Sequence, residues 1–224
     1  MANKIITNGN LSTVYGHGFL VQDITRGNLI SMYGFGPFDQ GKSALESKSY
    51  RIISAQEMAK LRIQEGVDSD ISIKGNWIRE GFLYVPNKGK FITKKSPTMV
   101  NAREATSSHR NGTELDLTSN QVEEALSDSI KILDDFKFYI STQRFADNDI
   151  TNYLFGEDAE AYGQFLLKEA GIKLMPINID ITNLENKPLT RQLWLHRLGY
   201  ESCLSGGGRN LSYVDMVRGV KESA

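Results

Sequence analysis

Residues 188–220 read PLTRQLWLHRLGYESCLSGGGRNLSYVDMVRGV, and two sets of positions interleave in them. One is a skeleton of apolar and structural residues: Leu193, Trp194, Leu198, Leu204, Leu211 and the closing Val217-Arg218-Gly219-Val220. Threaded between them are His196, Gly199, Tyr200, Cys203, Ser205, Gly207, Gly208, Arg209, Asn210, Ser212, Tyr213 and Asp215. This second set follows neither a helical nor a strand period. A buried skeleton carrying an irregular polar surface predicts a loop-built binding face. Such faces favour Tyr, which gives contact area at low entropic cost, and Ser, Gly and Asn, which adapt. The same stretch also reads more plainly as a surface loop between two core strands, because Gly206-Gly207-Gly208 permits backbone conformations closed to other residues.

The order LWL–L–S–L–G–L–Y–VRGV, which opens at Leu193-Trp194-Leu195, runs through Leu198, Leu204, Leu211 and Tyr213 and closes at Val217-Arg218-Gly219-Val220, resembles the C-terminal region of the variable proteins of diversity-generating retroelements, archaeal and viral members above all. That resemblance implies an α+β, C-type-lectin-like fold of the formylglycine-generating-enzyme subtype. The whole chain, 1–224, would then be one such domain, with 188–220 as a variable ligand-binding region. In that family diversification acts on template adenines, typically in Asn codons that keep a pyrimidine third base, so Trp, Gln, Glu, Met and Lys are excluded from varied positions. None of the twelve interspersed residues belongs to the excluded set, whereas Trp194, Glu201 and Met216 do and are expected to be fixed. The resemblance further implies a protein or cell-surface ligand. The residues expected to carry contact are His196, Tyr200, Arg209, Asn210 and Tyr213, because aromatic and Arg side chains anchor most interfaces. The framework would be Leu193, Trp194, Leu198, Leu204, Leu211, Arg218 and Gly219.

Composition narrows the remaining classes. The 224 residues suffice for a substantial core. Hydrophobic residues make up 40% and charged residues 24%, an ordinary globular mix. With 26 basic and 27 acidic residues the formal net charge is −1, which removes the electrostatic case for nonspecific nucleic-acid binding. The single cysteine, Cys203, makes no internal disulfide and no cysteine metal cluster. MANKIITNGN has no apolar core of signal-peptide length, and no apolar run reaches the length of a membrane span. A virion component or a cytoplasmic protein is therefore expected, without membrane insertion, cofactor or metal.

The rest of the chain reads as mixed helix and strand. Residues 1–34 are β, broken by turns at Asn8-Gly9, Gly16-His17-Gly18 and Arg26-Gly27-Asn28. The lectin-like resemblance places one of these strands beside Val217–Val220. Ser54 and Glu57 form a capping box opening a helix over 55–65, with Met58, Leu61 and Ile63 inward. Residues 70–94 return to β, with a hairpin at Pro86-Asn87-Lys88-Gly89 and Trp77 packed near it. A helix follows over 101–111. Thr118 and Gln121 form a second capping box, whose helix buries Val122, Ala125, Leu126, Ile130 and Leu133. FKFYI, residues 136–140, is β-prone. A helix over 157–170 buries Ala161, Tyr162, Phe165, Leu166 and Ala170 and stops at Gly171, before a strand over 174–181.

Three further features bear on chemistry. Gly36-Pro37-Phe38-Asp39-Gln40-Gly41-Lys42-Ser43 matches the phosphate-loop pattern in full. A P-loop NTP-binding enzyme is thus the alternative function, with Lys42 on the terminal phosphates and Ser43 on magnesium. Against it stand the antiparallel hairpins downstream, since that fold needs alternating parallel strands and helices. His109 has no partner nucleophile at a telling distance and reads as part of a solvated helix face. Asp147, Asp149, Glu157 and Asp158 lack the spacing of a calcium loop and read as helix-terminal acids. The copper site of the formylglycine-generating enzymes is built on cysteines, which one cysteine does not supply. The expectation is a binding protein and not an enzyme.

Overall fold

A computed structural model describes residues 3–7, 10–14, 21–26, 29–133, 137–179, 186–199, 202–207 and 210–222, with side chains from residue 29 onward except Lys137. The chain opens with strands β1 (Asn3–Thr7), β2 (Asn10–Val14), β3 (Val21–Arg26) and β4 (Leu29–Gly36). Helix α1 (Phe38–Glu46), strand β5 (Arg51–Ile52) and helices α2 (Ala55–Glu65) and α3 (Asp70–Ile73) follow. The middle of the chain carries β6 (Asn76–Val85), β7 (Gly89–Thr93), α4 (Pro97–Val100), α5 (Ala102–Arg110), α6 (Ser119–Leu126), β8 (Ser129–Ile132) and β9 (Lys137–Ser141). Helices α7 (Asp149–Phe155) and α8 (Ala159–Lys168) lead into β10 (Leu174–Asn178), β11 (Leu189–Leu195), β12 (Leu204–Ser205) and β13 (Asp215–Glu222).

These elements form two compact units, each assembled from separated stretches of sequence. The first comprises residues 1–53, 102–113 and 210–224. Its sheet runs β2–β1–β3–β4–β13, antiparallel except for the parallel pair β1–β3. The early strand expected beside the C-terminal one is β4: Val217 pairs with Gly34, Arg218 with Tyr33 and Val220 with Ser31. Helix α1 buries Phe38 and Leu45 completely and lies so close to β13 that a Cβ on Gly41 would sit 2.6 Å from Val217 Cγ2. Strand β5 pairs with β13 at Gly219 and Val220. Gly219 is needed there, since a Cβ would meet the Arg51 carbonyl and Tyr50 Cβ at 3.0 Å. Arg218 is wholly buried, donates to Ser31 Oγ at 3.1 Å and lies 5.0 Å from the Tyr33 ring centroid.

The second unit comprises residues 54–101 and 114–209. Its strands run β8–β7–β6–β11–β12–β10–β9, antiparallel except for β12 with β10. A bulge between Gln192 and Trp194 interrupts β11, and Leu193, Trp194 and Leu195 are all buried around it, where simple alternation would expose one. The Pro86–Gly89 hairpin forms as read, with Asn87 and Gly89 at φ 64° and 108°. Both capping boxes form, and α2 spans the residues read for it. Phe145, Phe155, Tyr162 and Phe165 make an aromatic cluster with ring centroids 5.0 to 6.1 Å apart. Leu83, Val85, Val122 and Ala125 form a smaller core beneath α6.

Several local readings are corrected. Residues 70–73 are helical, because Asp70 opens a turn whose Ile71 is buried. Helix α6 ends at Leu126; Ile130 lies in β8 and Leu133 is exposed, since hairpin pairing with β7 takes over from helical spacing. On α8 the buried alanine is Ala159 and Ala161 faces out. Arg62, not Ile63, completes the buried stripe of α2.

Candidate functional site

The stretch 188–220 is divided between the two units, with residues through 209 in one and those from 210 in the other. Tyr200, Glu201, Gly208 and Arg209 lie outside the described residues. Of the other expected contact positions, Gly199 and Tyr213 are exposed, and His196, Cys203, Ser205, Gly207, Asn210, Ser212 and Asp215 are half-buried. The framework behaves oppositely. Leu193, Leu204 and Arg218 are 0% exposed, Leu211 1% and Trp194 3%, and Gly219 is buried. Met216, expected to be fixed, is buried as well. Leu198 departs from the framework reading: it is half-buried, and its backbone N–H donates to the Ser72 carbonyl at 2.7 Å.

In the second unit the chain leaves β11 at Leu195 and enters β12 at Leu204. Between them His196 N–H donates to the Cys203 carbonyl at 2.9 Å and closes a neck. Gly199 takes φ 106°, a left-handed conformation that favours glycine. Ser202 Oγ donates to the Gly199 carbonyl at 2.9 Å. From below, the buried Arg62 guanidinium donates to the His196 carbonyl at 2.7 Å, to the Ile71 carbonyl at 3.2 Å and to Tyr162 Oη at 2.8 Å. Trp194 anchors the same neck edge-on to Trp77, centroids 5.0 Å apart, and His196 meets Trp194 edge-on at 6.3 Å. Gly75 makes room for this: a Cβ there would lie 2.5 Å from Trp194 Nε1. After β12, Gly206 N–H donates to the Asn178 carbonyl at 2.9 Å, and a Cβ on Gly206 would lie 3.0 Å from Leu193 Cδ2.

In the first unit, Asn210 starts a tight turn into β13. Its Oδ1 accepts Ser212 N–H at 2.8 Å and its carbonyl accepts Tyr213 N–H at 3.1 Å, an Asx-type turn closed on itself. Tyr213 and Val214 project from it, 65% and 67% exposed. The turn is tied to α5, since Asn210 Nδ2 donates to the His109 carbonyl at 3.1 Å and Leu211 N–H donates to His109 Nδ1 at 3.2 Å. It is tied to α1 where Phe38 N–H donates to the Leu211 carbonyl at 2.9 Å. His109 is therefore half-buried and holds a loop, which corrects its reading as solvated surface.

The fold is that of a C-type lectin. A solved chain described as accommodating massive sequence variation in Nanoarchaeota by the C-type lectin fold superposes with a TM-score of 0.60 at 16% identity, over 89% of this chain and 100% of that one. No family model and no curated protein sequence matches the chain. The mixed helix and sheet content expected from sequence is present.

The phosphate-loop alternative does not survive the geometry. Gly36 ends β4, Pro37 caps α1, and Phe38 to Ser43 lie inside the helix. A phosphate cradle needs unspent backbone amides in a loop. Here Phe38 N–H is taken by Leu211 and Gly41 N–H by the Pro37 carbonyl, and Lys42 and Ser43 bond within the helix. Lys42 Nζ pairs with Glu46 Oε1 at 2.7 Å, and Gly41 serves close packing on Val217. Asn148 caps α7 through bonds to the Ile150 and Thr151 amides, and Asp149 sits in that helix's first turn. Among the described residues, no group of three or more His, Cys, Asp or Glu side chains is placed to hold a metal ion, and no helix is long and apolar enough to cross a membrane.

Proposed function

We propose that this chain is a ligand-binding protein whose C-terminal stretch supplies a diversified contact surface, and that it works by binding and not by catalysis. One observation carries the reading: within 188–220 the described candidate contact positions reach the surface, while the framework residues between them, Leu198 apart, are buried. Substitutions at such surface positions usually cost no more than about 0.5 kcal/mol, so a rigid skeleton tolerates change where contact is made. A C-type-lectin fold that accommodates massive sequence variation in the Nanoarchaeota protein supports it further. The finer parts of the reading are a formylglycine-generating-enzyme subtype, diversification by a retroelement, and a protein or cell-surface ligand met as a virion component or inside the cell.

The test is the DNA around the gene. A near-copy of the segment encoding 193–220, with mismatches at its adenines and mostly in the codons of the twelve residues, beside a reverse-transcriptase gene, is the expected result. An intact locus holding neither overturns the diversification.

A further inference from the structure

We infer that His109 is the positioning residue of the Asn210–Asp215 turn, and that it holds the turn only while its Nδ1 is unprotonated. This rests on the proposed function only in taking Tyr213 as a contact residue.

The argument is one of donors and acceptors. Leu211 N–H donates to His109 Nδ1, so the ring is the neutral tautomer with its proton on Nε2. A protonated imidazole has two donors and no acceptor, and it would set N–H against N–H at Leu211. The Asn210 bond to the His109 carbonyl sits on the same helical turn of α5, so both of the turn's ties to α5 converge on one residue. Histidine ordinarily titrates near ~6.5, within reach of mild acid. Among the described residues, charged side chains stand on the three elements around the ring, α5 itself, α1 packed against it, and the turn. Arg103, Glu104 and Arg110 share its helix, and Asp39, Lys42 and Glu46 stand on α1, where Lys42 and Glu46 pair with each other. Asp215 ends the turn with its Oδ1 accepting Met216 N–H. Asn210 accordingly belongs with the positioning residues, since its side chain is spent on Ser212 and His109.

The experiment is hydrogen exchange of the Leu211 and Tyr213 amides in the full chain from pH 5 to 8, corrected for intrinsic exchange, with the His109 ring titrated in the same samples. Protection at Leu211 should fall about fivefold as the ring takes up its proton, the loss expected for one net hydrogen bond. In His109→Asn, whose Oδ1 offers the same N–H an acceptor that does not titrate, protection should stay level. In His109→Ala it should be low throughout; should that variant not fold, the wild type and His109→Asn decide. A wild-type Leu211 amide with no step at the His109 titration, or a step that persists in His109→Asn, overturns the inference. Neither result touches the locus test of the binding function, so the two readings fail separately.

Discussion

Replace Leu211 and Tyr213, two residues apart in one turn, by the same residue, asparagine. Leu211 is 1% exposed and Tyr213 65% exposed. Removing a buried leucine side chain costs about 2–5 kcal/mol, and an amide left there without partners adds about 1–3 kcal/mol. A loss of about 4 kcal/mol for Leu211→Asn is a central expectation. At about 2–4 °C per kcal/mol for a chain of this length, the Tm should fall by about 8–16 °C. Tyr213→Asn leaves no cavity, and its backbone N–H bond to the Asn210 carbonyl is untouched. It should stay within about 0.5 kcal/mol, or a Tm shift under about 2 °C. Thermal scans by circular dichroism at neutral pH read both. If the two variants fall equally, the division of this turn into framework and contact positions is wrong.

Three further expectations follow from single contacts. Burial holds Glu80 up at about 7 against its ordinary 4.5, although Ala55 N–H donates to it at 3.0 Å. As pH rises the unfolded chain therefore gives up this proton first, and stability falls between about pH 4.5 and 7 and levels above. Glu80→Gln should recover about 3 kcal/mol above pH 7 and none below pH 4.5, and urea midpoints with the same pH slope in both proteins would refute it. Gly75→Ala should force Trp194 aside, seen as a red-shifted, weakened tryptophan fluorescence; an unchanged spectrum would show that the neck yields elsewhere. Asn210→Ala should lower stability by about 1–2 kcal/mol, as loss of a capping side chain does, and an unchanged midpoint in chemical denaturation would count against its role in the turn.

Much of the framework was legible in the sequence because it obeys local rules. Ser54 with Glu57 and Thr118 with Gln121 carry their helix starts in four residues each, and Pro86 to Gly89 carries its hairpin. The pairing of β13 with an early strand was legible only through the family resemblance, since no local signal joins residues so far apart in sequence. What escaped was set by distant partners. Arg62 lies four residues after Met58 and three after Ala59, so the register pointed inward, but a cation there reads as surface until Tyr162 and the His196 carbonyl are seen to meet it. His109 lacked a partner in the sequence because its partners are more than a hundred residues away. Gly36–Ser43 matched a pattern whose glycines serve phosphate elsewhere, yet here Gly41 serves helix packing. A motif fixes residue types; only the backbone around it decides whether its amides are spent.

The two parts of the C-terminal stretch are held in different ways, and the difference bears on which positions can change. Around His196 the backbone is gripped directly: its N–H closes the neck on Cys203 and its carbonyl takes Arg62. Those bonds persist whatever side chain stands there, and the ring itself meets Trp194 edge-on. Around Asn210 the grip runs through the side chain, which caps Ser212 and reaches His109. A surface meant to vary is better hung from its backbone, because a backbone bond survives substitution and a side-chain bond does not. By that criterion Tyr213, 65% exposed and held through its backbone N–H, is a position where change is cheap. Asn210, though it sits close to it in the sequence, is one where the turn itself depends on the residue.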